Sequence, residues 1–203
     1  MKIRAILAWL LLMASTTSAL AEGPYLSVAG GISIIHDGQI NVADNPVLFI
    51  EYDKGYGLNA SAGYNIEPTN FVPFRLEFEF GYKNASVNRL NGPAVKSSPQ
   101  YSEITVMSYM GNAFLDINTN SSITPYIGAG LGVLNGDLKS QNDTNVNYAF
   151  GYQMIVGAAY NVNKKLAIDI SYRFQDVGSY FSDKNVDIDY KSSNFMAGLR
   201  YSF

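Results

Sequence analysis

Apolar and polar residues alternate with a period of two along most of this chain, and the run beginning at Phe74 is the clearest. Phe74, Leu76, Phe78, Phe80 and Tyr82 share one parity, against Arg75, Glu77, Glu79, Gly81 and Lys83 on the other. Such alternation places one face of an extended strand in an apolar medium and the other in a polar one. Similar runs cover Tyr25–Ile34, Gly57–Ile66, Thr124–Leu134, Phe150–Asn161, Leu166–Phe174 and Asn194–Phe203. A further strand over Glu103–Ile117 has mixed parity, with Asn112 and Asp116 assigned to its polar face. That makes eight predicted strands of about ten residues, the length that crosses a bilayer at a tilt.

The connections sort by length. Polar, turn-forming segments begin at Ile35 (with His36, Asp37, Gly38 and Pro46) and span Asn84–Tyr101, Asn135–Asn147 and Gln175–Ser192, and all four read as long loops. Inside the first, Val47-Leu48-Phe49-Ile50 extends the flanking strand or forms a short strand of its own. The intervening turns at Glu67–Asn70, Asn118–Ser122 and Asn163–Lys165 are short. Long and short connections therefore alternate, as in barrels with short turns at one membrane face and long loops at the other.

Composition sets the medium. Of 203 residues, 47% are apolar and only 15% charged, below the usual quarter for soluble proteins. No segment after the first twenty residues is long and apolar enough for a membrane helix, so any spanning must be done by strands. The start, Met1-Lys2-Ile3-Arg4 followed by an apolar run to Met13 and by Ala19-Leu20-Ala21, reads as a signal peptide over 1–21 with cleavage before Glu22. An uncleaved anchor is the other reading, and its apolar run is short for a span. Loss of Lys2 and Arg4 would leave 12 basic against 17 acidic residues over 22–203, a net charge of −5. An acidic chain without a basic cluster is not expected to bind nucleic acid. The absence of cysteine removes disulfides, thiolate metal sites and a Cys nucleophile.

The polar parity is mostly Gly, Ala, Ser and Asn, a poor coat for a soluble surface and a good filling for a narrow lumen. The apolar parity carries Phe74, Phe78, Phe80, Phe150, Phe174 and Phe195, with Tyr64, Tyr82, Tyr160, Tyr172 and Tyr201 toward strand ends, where interfacial girdles form. The expected fold is all-β, an eight-stranded antiparallel up-and-down transmembrane β-barrel with the first strand paired to the last.

The segments Arg75–Tyr82, Pro125–Gly132, Asp169–Phe174 and Phe195–Tyr201 resemble the small outer-membrane β-barrel surface antigens. That grouping includes opacity-type adhesins, rickettsial surface antigens and the virulence-related eight-stranded barrels of enteric bacteria. The last strand, with Phe195, Leu199, Tyr201 and Phe203 on one face, resembles the terminal strand that the barrel-insertion machinery reads in such proteins. The resemblance implies residence in the bacterial outer membrane among lipid and lipopolysaccharide. It also implies loops that touch a host-surface protein or glycan.

Candidate chemistry is sparse. Arg75, Glu77, Glu79, Asp116, Asp169, Arg173 and Arg200 fall on the lumen parity and are read as an internal network, three arginines against four carboxylates. His36 is the sole histidine, and no Ser/His pair at strand spacing suggests a nucleophile. Asp183, Asp187 and Asp189 offer carboxylates to a divalent cation, but a solvated acidic loop accounts for them more simply. Gly128-Ala129-Gly130-Leu131-Gly132 lacks the spacing of a nucleotide loop and reads as small lumen-facing residues. No cofactor or metal is expected. Tyr180 and Phe181 are the leading loop contact candidates. The functional expectation is a non-enzymatic surface protein acting through four extracellular loops, with a narrow passive porin as the alternative. An enzyme acting on outer-leaflet lipid is a third, weaker class.

Overall fold

The computed structural model describes residues 23–203 apart from 37, 43–47, 68–71, 92–100, 120, 141–143, 178–180, 184–185 and 189. At 38–42, 48–52, 87–91, 101–103, 138–140, 144–147, 181–183 and 186–188 it describes the backbone only. In chain order the strands are β1 (Gly23–Ile35), β2 (Gly38–Val42), β3 (Leu48–Tyr52), β4 (Gly55–Ile66), β5 (Phe74–Asn91) and β6 (Tyr101–Asp116). They continue as β7 (Ile123–Ser140), β8 (Thr144–Asn161), β9 (Leu166–Val177), β10 (Phe181–Asp183), β11 (Val186–Ile188) and β12 (Lys191–Ser202).

Eight of these close a ring in the order β1, β4, β5, β6, β7, β8, β9, β12, every neighbour antiparallel. β12 returns to β1 with register Tyr25↔Ser202 through Ile35↔Ser192, so the first strand pairs with the last as expected. Closure satisfies every ladder within the wall, which is what hydrocarbon demands of a spanning sheet.

The outward parity carries large apolar residues on every strand of the wall. Val28, Leu58, Phe78, Leu115, Leu131, Val156, Ile170 and Leu199 are each about half exposed. Within one strand Phe78 is 60% exposed and Glu79 only 1%, which fixes the polar face inward. An apolar belt of this extent is far larger than a soluble monomer tolerates. Aromatic rings ring both ends of the belt. Tyr201 and Phe203 meet edge-on at 5.3 Å at the short-turn end, and Tyr172 lies 5.1 Å from Phe195 toward the other.

All four segments read as long loops contain strand. β5 continues through Asn84 to Asn91, and β7 and β8 stay paired from Leu134↔Ala149 to Lys139↔Thr144, leaving only 141–143 between them. The first and fourth connections contain β2–β3 and β10–β11, so Leu48–Ile50 belongs to a short strand of its own. β3 pairs with the upper part of β5, β2 with β3, β11 with β2 and β10 with β11, tying these two connections into one sheet. A strand of 18 residues spans roughly 60 Å, or about 45 Å along the axis at a tilt near 40°. Against an apolar band of about 25 Å, the arms project on the order of 20 Å beyond the membrane.

The loop-like composition of these strands has a physical cause. In the arms the hydrophobic pattern inverts: Ile35, Ala85, Ile104, Val106, Leu134 and Val177 occupy the lumen parity and are buried. The outward parity there carries Asn84, Ser86, Asn135 and Asp137. Above the lipid the outer face meets water and the inner face becomes an ordinary core. The mixed parity of β6 is this inversion, with Ile104 and Val106 sharing a face with Asn112 and Asp116.

The buried layer of the arms makes a direct prediction. Leu134, fully buried there, should on substitution by Ala cost about 2–5 kcal/mol in denaturant unfolding from micelles. A loss near zero would mean that this layer is not packed.

Candidate functional site

The lumen is filled by side chains from all eight wall strands. Nearest the short turns, Arg75 on β5 donates through Nε to Asp116 on β6, at 2.8 Å to Oδ2 and 3.0 Å to Oδ1. Its guanidinium carbon lies 4.5 Å from the Phe114 ring, 4.8 Å from Tyr126 and 5.8 Å from Tyr25. Tyr126 donates to Asp169, and Arg200 approaches the same carboxylate only to 4.0 Å while lying 5.7 Å from the Tyr25 ring. An aromatic cage thus holds the cation where water is scarce.

Cross-strand glycines make the cage possible. Gly63 is the register partner of Tyr25, Gly157 of Tyr126 and Gly128 of Phe114. A Cβ on any of the three would fall on the ring beside it. Gly130 stands likewise under Asn112. The glycine-rich run of β7 is therefore space for lumen side chains, as its spacing implied.

One layer higher, Tyr25 donates to Glu77 Oε2 at 2.9 Å and Asn112 Nδ2 to Glu77 Oε1 at 3.3 Å. Gln153 Nε2 bridges Asn112 Oδ1 at 2.7 Å and Glu79 Oε1 at 3.3 Å, and Arg173 Nη1 is ion-paired with Glu79 Oε2. Above these, Lys83 Nζ donates to Gln175 Oε1 at 2.7 Å. Ser33, Asn194, Ser192 and Tyr190 then form a hydrogen-bonded chain under the apolar layer of the arms.

All seven predicted lumen charges point inward, and three ion pairs join six of them: Arg75 with Asp116, Arg173 with Glu79, and Arg200 with Asp169 at the longer distance. Glu77 is held by neutral donors. Lys83 was missing from the predicted set although its parity and its place two residues beyond Gly81 put it on the same face. With it, Arg75, Lys83, Arg173 and Arg200 match Glu77, Glu79, Asp116 and Asp169, four charges of each sign.

The other candidates separate. His36 Nε2 lies 2.9 Å from Ser193 Oγ, a Ser/His pair that strand spacing did not reveal because β1–β12 closure creates it. Ser193 is buried and also hydrogen-bonded to Tyr172 OH at 2.9 Å, so the pair clasps the first connection to the last strand. Among the described residues no three His, Asp or Glu side chains gather as metal ligands. Asp183 and Asp187 lie in β10 and β11 with backbone only, and Asp189 lies outside the described residues. Tyr180 also lies outside them, and Phe181 opens β10 with its side chain undescribed. Phe195, Leu199, Tyr201 and Phe203 stand on the outer face of β12 and beyond its end, each about half exposed.

A closed antiparallel wall, apolar outside and charged within, defines an integral outer-membrane β-barrel. The chain belongs to the outer membrane protein β-barrel domain family, whose sequence profile matches residues 5–203, and it resides in the outer membrane. It is similar to the outer membrane protein PagN of Salmonella typhimurium, 25% identical over 98% of this chain and 95% of PagN. In fold it resembles Neisserial surface protein A, with a TM-score of 0.57 and 20% identity over 92% of this chain and all of that one. OprG of Pseudomonas aeruginosa superposes with a TM-score of 0.54 at 13% identity, over 89% of this chain and 97% of its own.

The pairing pattern predicts strong and coupled mutational effects. Arg75→Ala strips Asp116 of its only ion-pair partner among the described residues, and thermal unfolding in detergent should show a loss of about 3–5 kcal/mol. Arg173→Met should cost a similar amount, and adding Glu79→Gln should recover part of it. Additive losses in that cycle would contradict the pairing.

Proposed function

We propose that this protein is a non-enzymatic surface protein whose extracellular arms mediate adhesion to a host-surface protein or glycan. The observation that carries this reading is the division of the barrel along its axis. Inside the membrane the lumen is filled by hydrogen-bonded and ion-paired side chains, and above them Val106 and Leu134 lie on the lumen parity and are fully buried. A bore filled in this way supports a scaffold role over a passive porin. The arms are continuous with rigid wall strands, and the sheet from β10 to β3 ties the first and fourth connections to β5. Such a platform suits recognition, because loops held on a rigid frame lose little entropy on binding.

Within this reading, residues 1–21 are a cleaved export signal, and the aromatic face of β12 ending at Phe203 is the segment read during insertion. Tyr180 and Phe181 remain the leading contact residues, since exposed aromatic anchors dominate many interfaces.

The test is adhesion by bacteria lacking other adhesins and displaying this protein. They should bind epithelial cells above the vector control, and the Tyr180→Ala/Phe181→Ala variant should lose about tenfold in binding at equal surface display. Vector-level adhesion by correctly displayed wild type would overturn the proposal.

A further inference from the structure

Strand pairing in the extracellular arms is incomplete along β8. Its ladder to β7 continues as far as Lys139↔Thr144, but its ladder to β9 ends at Gly151↔Val177. Residues 144–150 therefore form a strand edge, with no ladder on the β9 side among the described residues. β10 lies beside this edge but is laddered to β11 alone, so an incoming strand has no ladder to break. The lower end of β8 fixes which amides face the edge. Asn161 donates its N–H to Ser122 O on the β7 side at 2.7 Å, and Val162 donates to Leu166 O on the β9 side at 2.9 Å. Amide directions alternate along a regular strand, and neither ladder of β8 has a register shift. The N–H groups of Val146 and Tyr148 thus face the open edge, while those of Asn145 and Asn147 serve the β7 ladder.

Nothing in the sequence blunts this edge. Exposed edges are ordinarily guarded by charge, proline or a bulge. Thr144-Asn145-Val146-Asn147-Tyr148-Ala149-Phe150 carries neither charge nor proline, and it pairs with β7 without a bulge. The same segment keeps an apolar outer face where its neighbours turn polar. Tyr148 is 68% exposed, the most of any large apolar side chain described, and Phe150 is 58% exposed. The two flank Ala149, which is buried opposite Leu134 in the inner layer of the arms. In the arms β5 and β7 instead present Asn84, Ser86, Asn135 and Asp137 outward, and Asn135 is the register partner of Tyr148.

We propose that this edge takes up an extended segment of a partner polypeptide, which adds to β8 as a strand and sets alternate apolar side chains against Tyr148 and Phe150. In such strand addition the main-chain N–H and C=O groups supply affinity, and the side chains of one parity supply selectivity. The edge is long enough for a strand of ordinary length. A glycan has no regular row of amide donors and carbonyl acceptors to match it. The inference rests on the adhesion reading and narrows the partner from protein or glycan to protein.

The probe is a fluorescent peptide of about ten residues, Thr alternating with Val and Lys at both ends, titrated into the folded protein in nanodiscs and followed by anisotropy. Amide hydrogen exchange is read by NMR on the same complex. The proposal expects saturable binding, with exchange at Val146 and Tyr148 slowed by about tenfold or more and that at Asn145 and Asn147 little changed. Val146→Pro removes a donor that faces only the open edge and keeps the β7 ladder, so it should weaken binding about tenfold. Tyr148→Ala/Phe150→Ala, which alters exposed side chains only, should weaken it by a similar factor. Heat-dependent gel mobility verifies that each variant folds. Absence of saturable binding, or binding unchanged in either folded variant, would overturn the proposal. The adhesion assay separates it from the reading beneath it. Full attachment by both variants would overturn the edge and leave adhesion standing, whereas peptide binding with vector-level attachment by wild type would retain the edge and overturn adhesion.

Discussion

A backbone amide in hydrocarbon has no partner except another backbone group, and everything else in this molecule follows from that. The wall must close, so β1 finds β12, and eight strands enclose a bore narrow enough for side chains to fill. The filling must then satisfy itself. Tyrosines lie over register-paired glycines, amides bridge carboxylates, and four positive charges meet four negative ones. Where the wall leaves the lipid, the same ladder continues with its polarity reversed, and the charged filling gives way to an apolar core.

The balance of charge explains why so many ionisable groups are tolerated in a narrow lumen. Breaking one buried pair leaves its partner unneutralised, which costs far more than the pair itself contributes. The arrangement is therefore held by mutual dependence across strands. Arg173 connects β9 to β5, Arg75 connects β5 to β6, and Gln153 reaches from β8 to both β6 and β5. Such ties fix the relative register of strands whose outer faces, being uniformly apolar, specify it weakly.

Most of the wall was legible in the sequence because lipid imposes one rule on one face. Phe74 to Tyr82 or Phe195 to Phe203 can be read by parity alone. The arms were not legible, since Asn84, Asn135 and Asp137 carry loop-like chemistry while remaining in strands. Parity also gave the direction of each lumen side chain but neither its height nor its neighbour. The Arg75–Asp116 pair depends on the stagger between β5 and β6, and the His36–Ser193 contact joins residues 157 apart through closure of the ring. Lys83 shares the parity of Arg75, Glu77 and Glu79 and was visible on the charged face, but its Gln175 partner on β9 is set only by closure of the ring.

The proposed function requires that the apolar layer of the arms closes the bore. Single-channel recording in a planar bilayer, on protein whose folding has been verified by heat-dependent gel mobility, tests it most directly. The account predicts a silent membrane at voltages that open small porins. Discrete, reproducible current steps would contradict it, because they would require a continuous water path past Val106 and Leu134.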